Sequence, residues 1–376
     1  MSTVLRGITW EHSRGYDCML ASSARYRAGT GVDIRWEYRS LQAFADAPLG
    51  QLAADFDLLV IDHPHIPLAA EEGLLSRLDG AGFDDELALL SQQSVGLSHQ
   101  SYGHNGHQYA LASDAAAQVS AFRPDLLGDP PGDWDAVLDL AKEGGVLWPV
   151  KPIDAFSSLV TIAAGMGAEI NALSGEFLAE EPALRALEYM HQLADLIPEE
   201  CFTANPIEVA EQLTVSDRWC YSPLLFGYSN YSRTGFRPAR LQYTDIPAAQ
   251  NGIRRSLLGG AGIAVSATAT DPEAARAFAF WVASAQVQSG VYYDAGGQPG
   301  NAAAWDDARL NNETLDFFAG TRATLENALV RPRTPGYIEF QDTVAPWVTQ
   351  TLTGELTDVQ LITRLNNAAA ELLEER

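Results

Sequence analysis

The sequence predicts an α/β protein built from two lobes. The chain has 376 residues, which is long for a single hydrophobic core. Apolar runs alternate with amphipathic stretches along its length, as they do where strands and helices alternate. The sequence contains no internal repeat, low-complexity tract or long Pro/Gly/Ser linker. We therefore expect short strands, and no flexible tether, to join the lobes.

The N-terminal part predicts parallel strands with a helical crossover. Residues 4–10 (VLRGITW) form a first strand, and residues 17–27 form the helix that follows it. Residues 32–38 alternate in polarity, which is typical of a strand with one wet face. Residues 56–61 form a buried apolar strand. Together these elements predict a βαβ-type start of the fold.

Polar segments follow two of these strands. Residues 10–16 (WEHSRGY) leave the first strand, and residues 62–65 (DHPH) leave the buried one. Sheets of this kind bind ligands beyond the carboxyl ends of their strands. We expect both segments to lie at that edge and to supply ligand contacts.

The remaining elements are predicted by short strand-like runs and by residues that favour helix starts. Asp and Thr cap the first turn of a helix, and Pro fits its first position. The predicted elements are strands at 106–114 and 115–122, and helices that begin near Trp134, near Glu181 with Pro182 in the first turn, at Asp271 with Pro272, and at Thr357 or Asp358.

The charge of the chain excludes two classes of partner. Its 24 Lys and Arg against 49 Asp and Glu give a formal net charge of −25. So acidic a surface repels nucleic acid phosphates and anionic lipid head groups. We therefore expect neither a nucleic acid nor a membrane surface as a partner, and the charge serves solubility.

The three cysteines show neither CxxC nor metal-site spacing. Cys201 and Cys220 form a disulfide if the protein is exported, with Cys18 left free. The alternative is three buried or partly buried thiols, since buried cysteine is common.

The order of several motifs carries a resemblance to a known family. In chain order they are Gly106 to Leu111 (GHQYAL), Phe122 to Leu127 (FRPDLL), Trp134-Asp135, Phe177 before an acidic Pro-started helix, Leu257 to Val265 (LLGGAGIAV), the helix from Asp271 (DPEAA) and Gly296 to Pro299 (GGQP). Each motif is loose, but their order and spacing resemble the extracellular solute-binding proteins of ABC importers. That group includes maltose- and other sugar-binding members, and the likeness spans nearly the whole chain.

This resemblance implies a two-lobed periplasmic-binding-protein-like fold with an interlobe ligand cleft and a hinge. It implies a first lobe of residues 1–112 with 247–305 and a second lobe of residues 113–246 with 306–376. It also implies that a monomer captures a small polar molecule by hinge closure and delivers it to a membrane ABC permease. The molecule is then a sugar, a polyol, or a sugar acid or other carboxylate.

The same resemblance implies a periplasmic or cell-surface location. Residues 1–10 show no basic segment followed by an apolar one, so no signal peptide is visible. If the chain as written is complete, it is cytoplasmic, and the alternative is a ligand-sensing regulator or an enzyme on the same scaffold.

A site of this kind needs flat apolar faces for ligand C–H surfaces and a few fixed polar groups for hydroxyls or carboxylates. Glycine lets backbone N–H groups approach a ligand closely, because it has no Cβ. The candidate binding residues are Trp10, His12, Tyr16, Asp62, His63, Asp114, Trp148, Lys151, Tyr228, Tyr231, Gly259, Gly260 and Tyr337. We expect Trp10→Ala and Asp114→Ala to abolish ligand-induced stabilisation and to leave the ligand-free melt nearly intact.

Several of these residues have plainer alternative roles. Aromatic residues at strand ends often belong to the core edge. Asp62 is also a candidate helix cap. Lys151 either pairs with a surface carboxylate or faces the ligand, and in the second case it favours a ligand that carries a carboxylate.

Motifs for catalysis, metals and cofactors are weak. His63, His65, His104 and His107, with Asp62 and His99, are imaginable metal ligands, but no HExxH accompanies them, and loop histidines are the simpler interpretation. Residues 259–262 (GGAG) lack the GxGxxG spacing after a first strand, and no GxSxG is present. We expect a binding protein with no catalytic residue, metal or cofactor.

Overall fold

The computed structural model describes residues 3–40, 49–80, 82–170, 176–249, 252 and 254–373. Its strands are β1 (Val4–Trp10), β2 (Asp33–Arg39), β3 (Leu58–Ile61), β4 (Gly103–His104), β5 (His107–Gln108), β6 (Ala110–Ala112), β7 (Ala116–Phe122), β8 (Tyr221–Phe226), β9 (Gln242–Thr244), β10 (Leu258–Gly259) and β11 (Gly262–Val265). Its α-helices are α1 (Cys18–Thr30), α2 (Leu49–Asp55), α3 (Ile66–Glu71), α4 (Asp84–Gln92), α5 (Trp134–Lys142), α6 (Pro152–Gly165), α7 (Glu180–Ala194), α8 (Pro206–Val215), α9 (Pro272–Ala283), α10 (Ala285–Val287), α11 (Ala302–Trp305), α12 (Ala308–Glu313), α13 (Phe317–Glu326), α14 (Tyr337–Leu352) and α15 (Asp358–Leu372).

The chain divides into two compact units. Unit 1 consists of Met1–Ala115 and Gly259–Leu310, and unit 2 of Ala116–Leu258 and Asn311–Arg376. The chain therefore passes from one unit to the other three times. The first two passages are short stretches of β-structure, and the third lies within α12.

The core of unit 1 is a five-stranded sheet with the order β2-β1-β3-β11-β6. β1 is parallel to β2 along its whole length, from the pair Val4 and Asp33 to the pair Trp10 and Arg39, and it is also parallel to β3. β11 is antiparallel to β3 and to β6. The predicted βαβ start is confirmed, with α1 as the crossover from β1 to β2.

The ends of three strands of unit 1 meet at one edge of this sheet. Ile61 of β3 and Ala112 of β6 both pair with Gly262 at the start of β11. β3 is parallel to β1, so Trp10 ends at the same side. The segments after Trp10, Ile61 and Ala112 therefore leave the sheet together, as is usual for the ligand-binding edge of such sheets.

Unit 2 contains a four-stranded sheet in which β7 lies between β10 and β8 and also pairs with β9. Every residue of β7 is buried, so this strand runs through the centre of the unit. Gln118 of β7 accepts a hydrogen bond from Thr161 at 2.6 Å and donates one to Ser158 at 3.2 Å. Both partners lie on α6, so a buried polar network fixes that helix against the sheet.

The predicted helix starts are confirmed. The Asp133 side chain accepts from the backbone N–H of Ala136 at 2.9 Å, and Asp271 caps α9 with Pro272 in its first turn. At α15 the structure decides between the two candidates, because Thr357 is the cap and forms a reciprocal capping box with Gln360.

The cysteine alternative is also decided. Cys18, Cys201 and Cys220 are all free thiols, the first two buried and the third partly buried. Burial raises the pKa of the Cys18 thiol to about 12 and that of Cys201 to about 11, so neither is a reactive thiolate at neutral pH.

Candidate functional site

A buried ion pair joins two of the segments at the carboxyl edge of unit 1. Arg14 follows β1 and Asp114 follows β6. The Arg14 Nε donates to Asp114 Oδ2 at 2.6 Å, and its Nη2 donates to Oδ1 at 2.5 Å. Asp114 is 1% exposed. Burial raises the pKa of Asp114, against the attraction of Arg14, and the charge of Asp62 raises it further.

Hydrogen bonds also fix the backbone of Asp114. Asp114 and Ala261 exchange both backbone hydrogen bonds, with N–O distances of 2.9 and 3.2 Å. Gly260 has φ +103°, and a Cβ at that position would collide with the carbonyl oxygen of Asp114. Only glycine fits both the conformation and the space. The segments after β6 and before β11 are therefore pinned to each other.

We expect Gly260→Ala to lower the free energy of unfolding by about 2–4 kcal/mol, because it adds a backbone collision to an unfavourable φ. Gly106→Ala is the matched control in the same unit. Its φ is +77°, and a Cβ added there would meet nothing within 4 Å, so we expect a loss of only about 1 kcal/mol. Urea denaturation of both variants measures the difference. Equal losses would contradict the close contact with Asp114.

Three further predicted residues lie at the end of β1 or just after it. Trp10 is 5% exposed and lies in the hydrophobic core of unit 1, where its ring covers Gly15 so closely that no Cβ fits there. The His12 Nδ1 accepts from the backbone N–H of Arg14 at 3.0 Å, which shapes the turn that carries Arg14. The Tyr16 ring meets Tyr38 edge-on at 4.7 Å between centroids.

Asp62 and His63 follow β3. Asp62 stands at the capping position of the short 3₁₀ turn His63–His65 but makes no side-chain capping hydrogen bond. Its charge acts on Asp114, which places the two acids near each other. His63 is buried, and its ring lies edge-on to Tyr102 with 6.2 Å between centroids.

Trp148 in unit 2 is fully buried. Its indole N–H donates to Ser158 Oγ at 3.1 Å, so it joins the network around Gln118. Trp148 therefore positions α6, and its indole N–H is already used in this hydrogen bond.

Lys151 and Asp154 lie at the start of α6. Lys151 occupies the capping position and is partly buried. Asp154 is on the first turn and is only 4% exposed, and its Oδ2 has no hydrogen-bond partner among the described residues. Burial raises the pKa of Asp154 to about 8, and Glu208 raises it too, whereas Lys151 opposes the shift.

Tyr231 connects to the same region through α8. Its hydroxyl donates to Glu211 at 2.7 Å, and Arg237 also binds that carboxylate, with its Nε 2.6 Å from Oε2. Tyr228 precedes the 3₁₀ turn Ser229–Ser232 that carries Tyr231. Tyr337 begins α14, where it is buried with its ring 6.1 Å from that of Phe340.

Within each unit, the structure brings some of the candidate residues together and leaves others apart. In unit 1 one sheet edge gathers the residues that follow β1, β3 and β6, and Gly259 and Gly260 lead back to it. In unit 2, α8 links Lys151 and Asp154 to Tyr231, because Glu208 acts on Asp154 and Glu211 binds Tyr231. Trp148 and Tyr337 are packed inside that unit.

Sequence analysis did not identify two residues of these regions, Arg14 and Asp154. Arg14 lies in the polar segment after β1, and its only signal was that position. Asp154 follows Lys151-Pro152-Ile153, a pattern that predicts an ordinary acidic residue in the first turn of a helix. Its burial is not visible in the sequence.

The histidine clusters do not form a metal site within the described ranges. No group of three or more His, Cys, Asp or Glu side chains among those residues is placed to hold a metal ion. Burial lowers the pKa of His99 to about 4, and His107 lies 2.8 Å from Asp79.

The family of the chain follows from a comparison with family models. The model described as bacterial extracellular solute-binding protein matches residues 21–317, well over half of the chain. The chain belongs to this family. Its members are binding proteins of extracellular solutes, which confirms the resemblance inferred from the motif order. No helix among the described residues combines the length and the apolar character that crossing a membrane requires.

Solved structures of similar proteins agree on the fold. Maltose-bound MalE3 of T. maritima superposes with a TM-score of 0.85 at 19% identity, covering 98% of this chain and 99% of that chain. A solute-binding protein of Thermotoga lettingae with α-D-tagatose has a TM-score of 0.82 at 16% identity, covering 99% and 100%. One of Agrobacterium radiobacter K84 with ribitol has a TM-score of 0.81 at 21% identity, covering 99% and 98%. The predicted two-lobed periplasmic-binding-protein-like α/β fold is confirmed.

Proposed function

We propose that this chain is the solute-binding component of an ABC importer, that it captures a neutral sugar or polyol, and that it catalyses no reaction. The observation that carries the proposal is the family match over residues 21–317. The solved neighbours support the ligand class, because they hold maltose, tagatose and ribitol. By the same reasoning the protein works outside the cytoplasmic membrane and passes its solute to a permease.

The chemistry of the candidate residues supports a polyhydroxylated ligand. Hydroxyl groups both donate and accept hydrogen bonds, so they suit carboxylates as acceptors and an ammonium group as a donor. Asp62 lies at the edge of unit 1, and Lys151 with Asp154 lies at the start of α6 in unit 2. Tyr16, which is partly exposed, offers an aromatic face suited to sugar C–H groups.

Closure would follow from contacts on both lobes. A solute that binds residues of the two lobes at once gains those contacts only in the closed form, so binding shifts the equilibrium toward closure. The short passages at residues 115/116 and 258/259 and within α12 are the proposed hinge.

The first test is ligand-induced stabilisation. We expect maltose, tagatose, ribitol or a close relative to raise the free energy of unfolding by about 2.7 kcal/mol at a concentration one hundred times the Kd. A thermal-shift screen of neutral sugars and polyols, with matched sugar acids as the control set, measures it. Chromatography of the recovered solute should show no product. Stabilisation by none of them, or turnover of the bound compound, would contradict the proposal.

The second test uses the two lysines of the chain, Lys142 and Lys151. Lys142 pairs with Asp139 at 2.8 Å on the exposed surface of α5, so it serves as an internal control. We expect a stabilising solute to slow modification of Lys151 by an amine-reactive probe several-fold, because a bound ligand shields the ammonium group, and to leave Lys142 unchanged. Peptide mass spectrometry with and without solute gives both rates. Equal rates at Lys151 would place the solute elsewhere.

A further inference from the structure

We propose that Asp154 is the residue of unit 2 that selects the solute, by accepting a hydrogen bond from a solute hydroxyl on its buried Oδ2. This inference rests on the proposed function and deepens it. It assigns a specific contact and a chemical requirement, a hydroxyl donor, to a residue that the sequence did not single out.

The first argument is a comparison of buried carboxyl groups. Asp57, Asp114 and Asp154 are the buried acidic side chains of the described residues. Asp57 accepts from the backbone N–H of Arg6 on Oδ2 and from Thr270 on Oδ1. Asp114 has both oxygens bound by Arg14. Asp154 alone among these three has a buried oxygen with no partner.

The second argument is energetic. A buried carboxyl oxygen without a hydrogen-bond donor destabilises the fold, so such groups are rare and call for an explanation. Helix capping does not supply one, because no side-chain hydrogen bond caps α6. A ligand whose hydroxyl donates a hydrogen bond to this oxygen supplies the explanation.

The third argument concerns the class of donor. Lys151 and Glu208 are the charged groups that act on Asp154, with opposite signs. A solute carboxylate at Oδ2 would face the negative charge of Glu208 and, wherever Asp154 is ionised, a second negative charge, which disfavours it. A hydroxyl donates to Asp154, and a neighbouring hydroxyl of the same solute accepts from the Lys151 ammonium group. Adjacent hydroxyls are the defining feature of sugars and polyols.

The binding event then changes the protonation of the protein. Burial holds the pKa of Asp154 at about 8, so much of the carboxyl is protonated at neutral pH. A hydroxyl that donates to Oδ2 favours the ionised form, so the proton leaves Asp154 for the solvent as the solute binds. Proton release is a readout that a purely structural role of Asp154 would not produce.

The experiment is isothermal titration of a stabilising neutral solute in two buffers that differ in ionisation enthalpy, near the pKa of Asp154. We expect wild-type protein to release a fraction of a proton. We expect Asp154→Asn to bind at least about ten-fold more weakly and to release none. Asp139→Asn, at a side chain 76% exposed in the same unit, is the matched control and should behave as wild type.

Each outcome separates this inference from the proposed function. Unchanged affinity and proton release in Asp154→Asn would overturn the inference and leave the proposed function standing. Failure of every neutral sugar and polyol to bind wild-type protein would overturn both. If Asp154→Asn does not fold, wild-type protein decides, because binding without proton release at any pH near the pKa would overturn the role of Asp154.

Discussion

Asp114→Ala should lower the free energy of unfolding by about 3–5 kcal/mol, whether or not a solute is present. The reason is that the substitution leaves Arg14 without its carboxylate partner. Asp114 binds Arg14 through both oxygens in a site where the side chains of Arg14 and Asp114 are 5% and 1% exposed. Removing one member of a buried pair leaves an uncompensated charge, which costs far more than the net worth of the pair. Chemical denaturation of ligand-free protein measures the loss.

Two further variants make this prediction sharp. The double variant Arg14→Met/Asp114→Leu removes both charges and should recover much of the lost stability. Asp139→Ala breaks an exposed pair with Lys142 in which both side chains are more than half exposed, and it should cost less than about 1 kcal/mol. A loss for Asp114→Ala no larger than that of Asp139→Ala would refute the buried pair.

This geometry changes the interpretation of ligand-binding experiments at Asp114 and Trp10. From the sequence we expected both alanine variants to leave the ligand-free melt nearly intact. The structure leads us to predict a loss of stability instead, because Asp114 holds Arg14 and Trp10 lies in the core of unit 1. Loss of binding in either variant would therefore mix stability with contact. Their role as ligand contacts stays a prediction.

The second large effect is a dependence of stability on pH that originates at Asp154. Its pKa rises from 3.8 to about 8 in the folded protein, so the native state binds the proton more tightly than the unfolded state. Stability is then highest below the unfolded pKa, falls as the pH rises from about 4 to about 8, and levels off above. At ~1.4 kcal/mol per pKa unit, the loss is of the order of a few kcal/mol.

Asp154→Asn should remove this dependence, because the amide does not titrate. We expect the variant to be slightly less stable than wild type at mildly acidic pH and more stable at alkaline pH. Urea denaturation across that range, with Asp139→Asn as the control, measures the difference between the two curves. Parallel curves for wild type and Asp154→Asn would show that Asp154 does not carry the buried proton.

These two carboxyl groups illustrate two uses of burial. Asp114 is buried and fully bonded, so it fixes the segments after β1 and β6 that form the edge of unit 1. Asp154 is buried with one oxygen unbonded, so it costs stability. Natural proteins keep such a cost mainly at functional sites, which is why the two residues call for different experiments.

The sequence by itself predicted the first strands and their crossover helix, several helix starts and the family, whereas the single strand predicted at 106–114 is wrong, because it divides into β5 and β6. Local patterns suffice for these, because a cap such as Asp133 or Asp271 acts on its own helix, and the alternation over residues 32–38 depends only on near neighbours. It also placed Asp62 and Asp114 at strand ends, where parallel strands gather polar groups at one edge.

The tertiary structure alone decided what each polar side chain meets. Arg14 and Asp114 are 100 residues apart in the chain, and the sequence offers no sign that they pair. Asp154 has the local pattern of a solvated first-turn acid, yet packing buries it beside Lys151 and Glu208. Burial and partnership arise from contacts between distant segments, and these set the pKa and the free energy of a side chain, whereas local sequence sets its secondary structure.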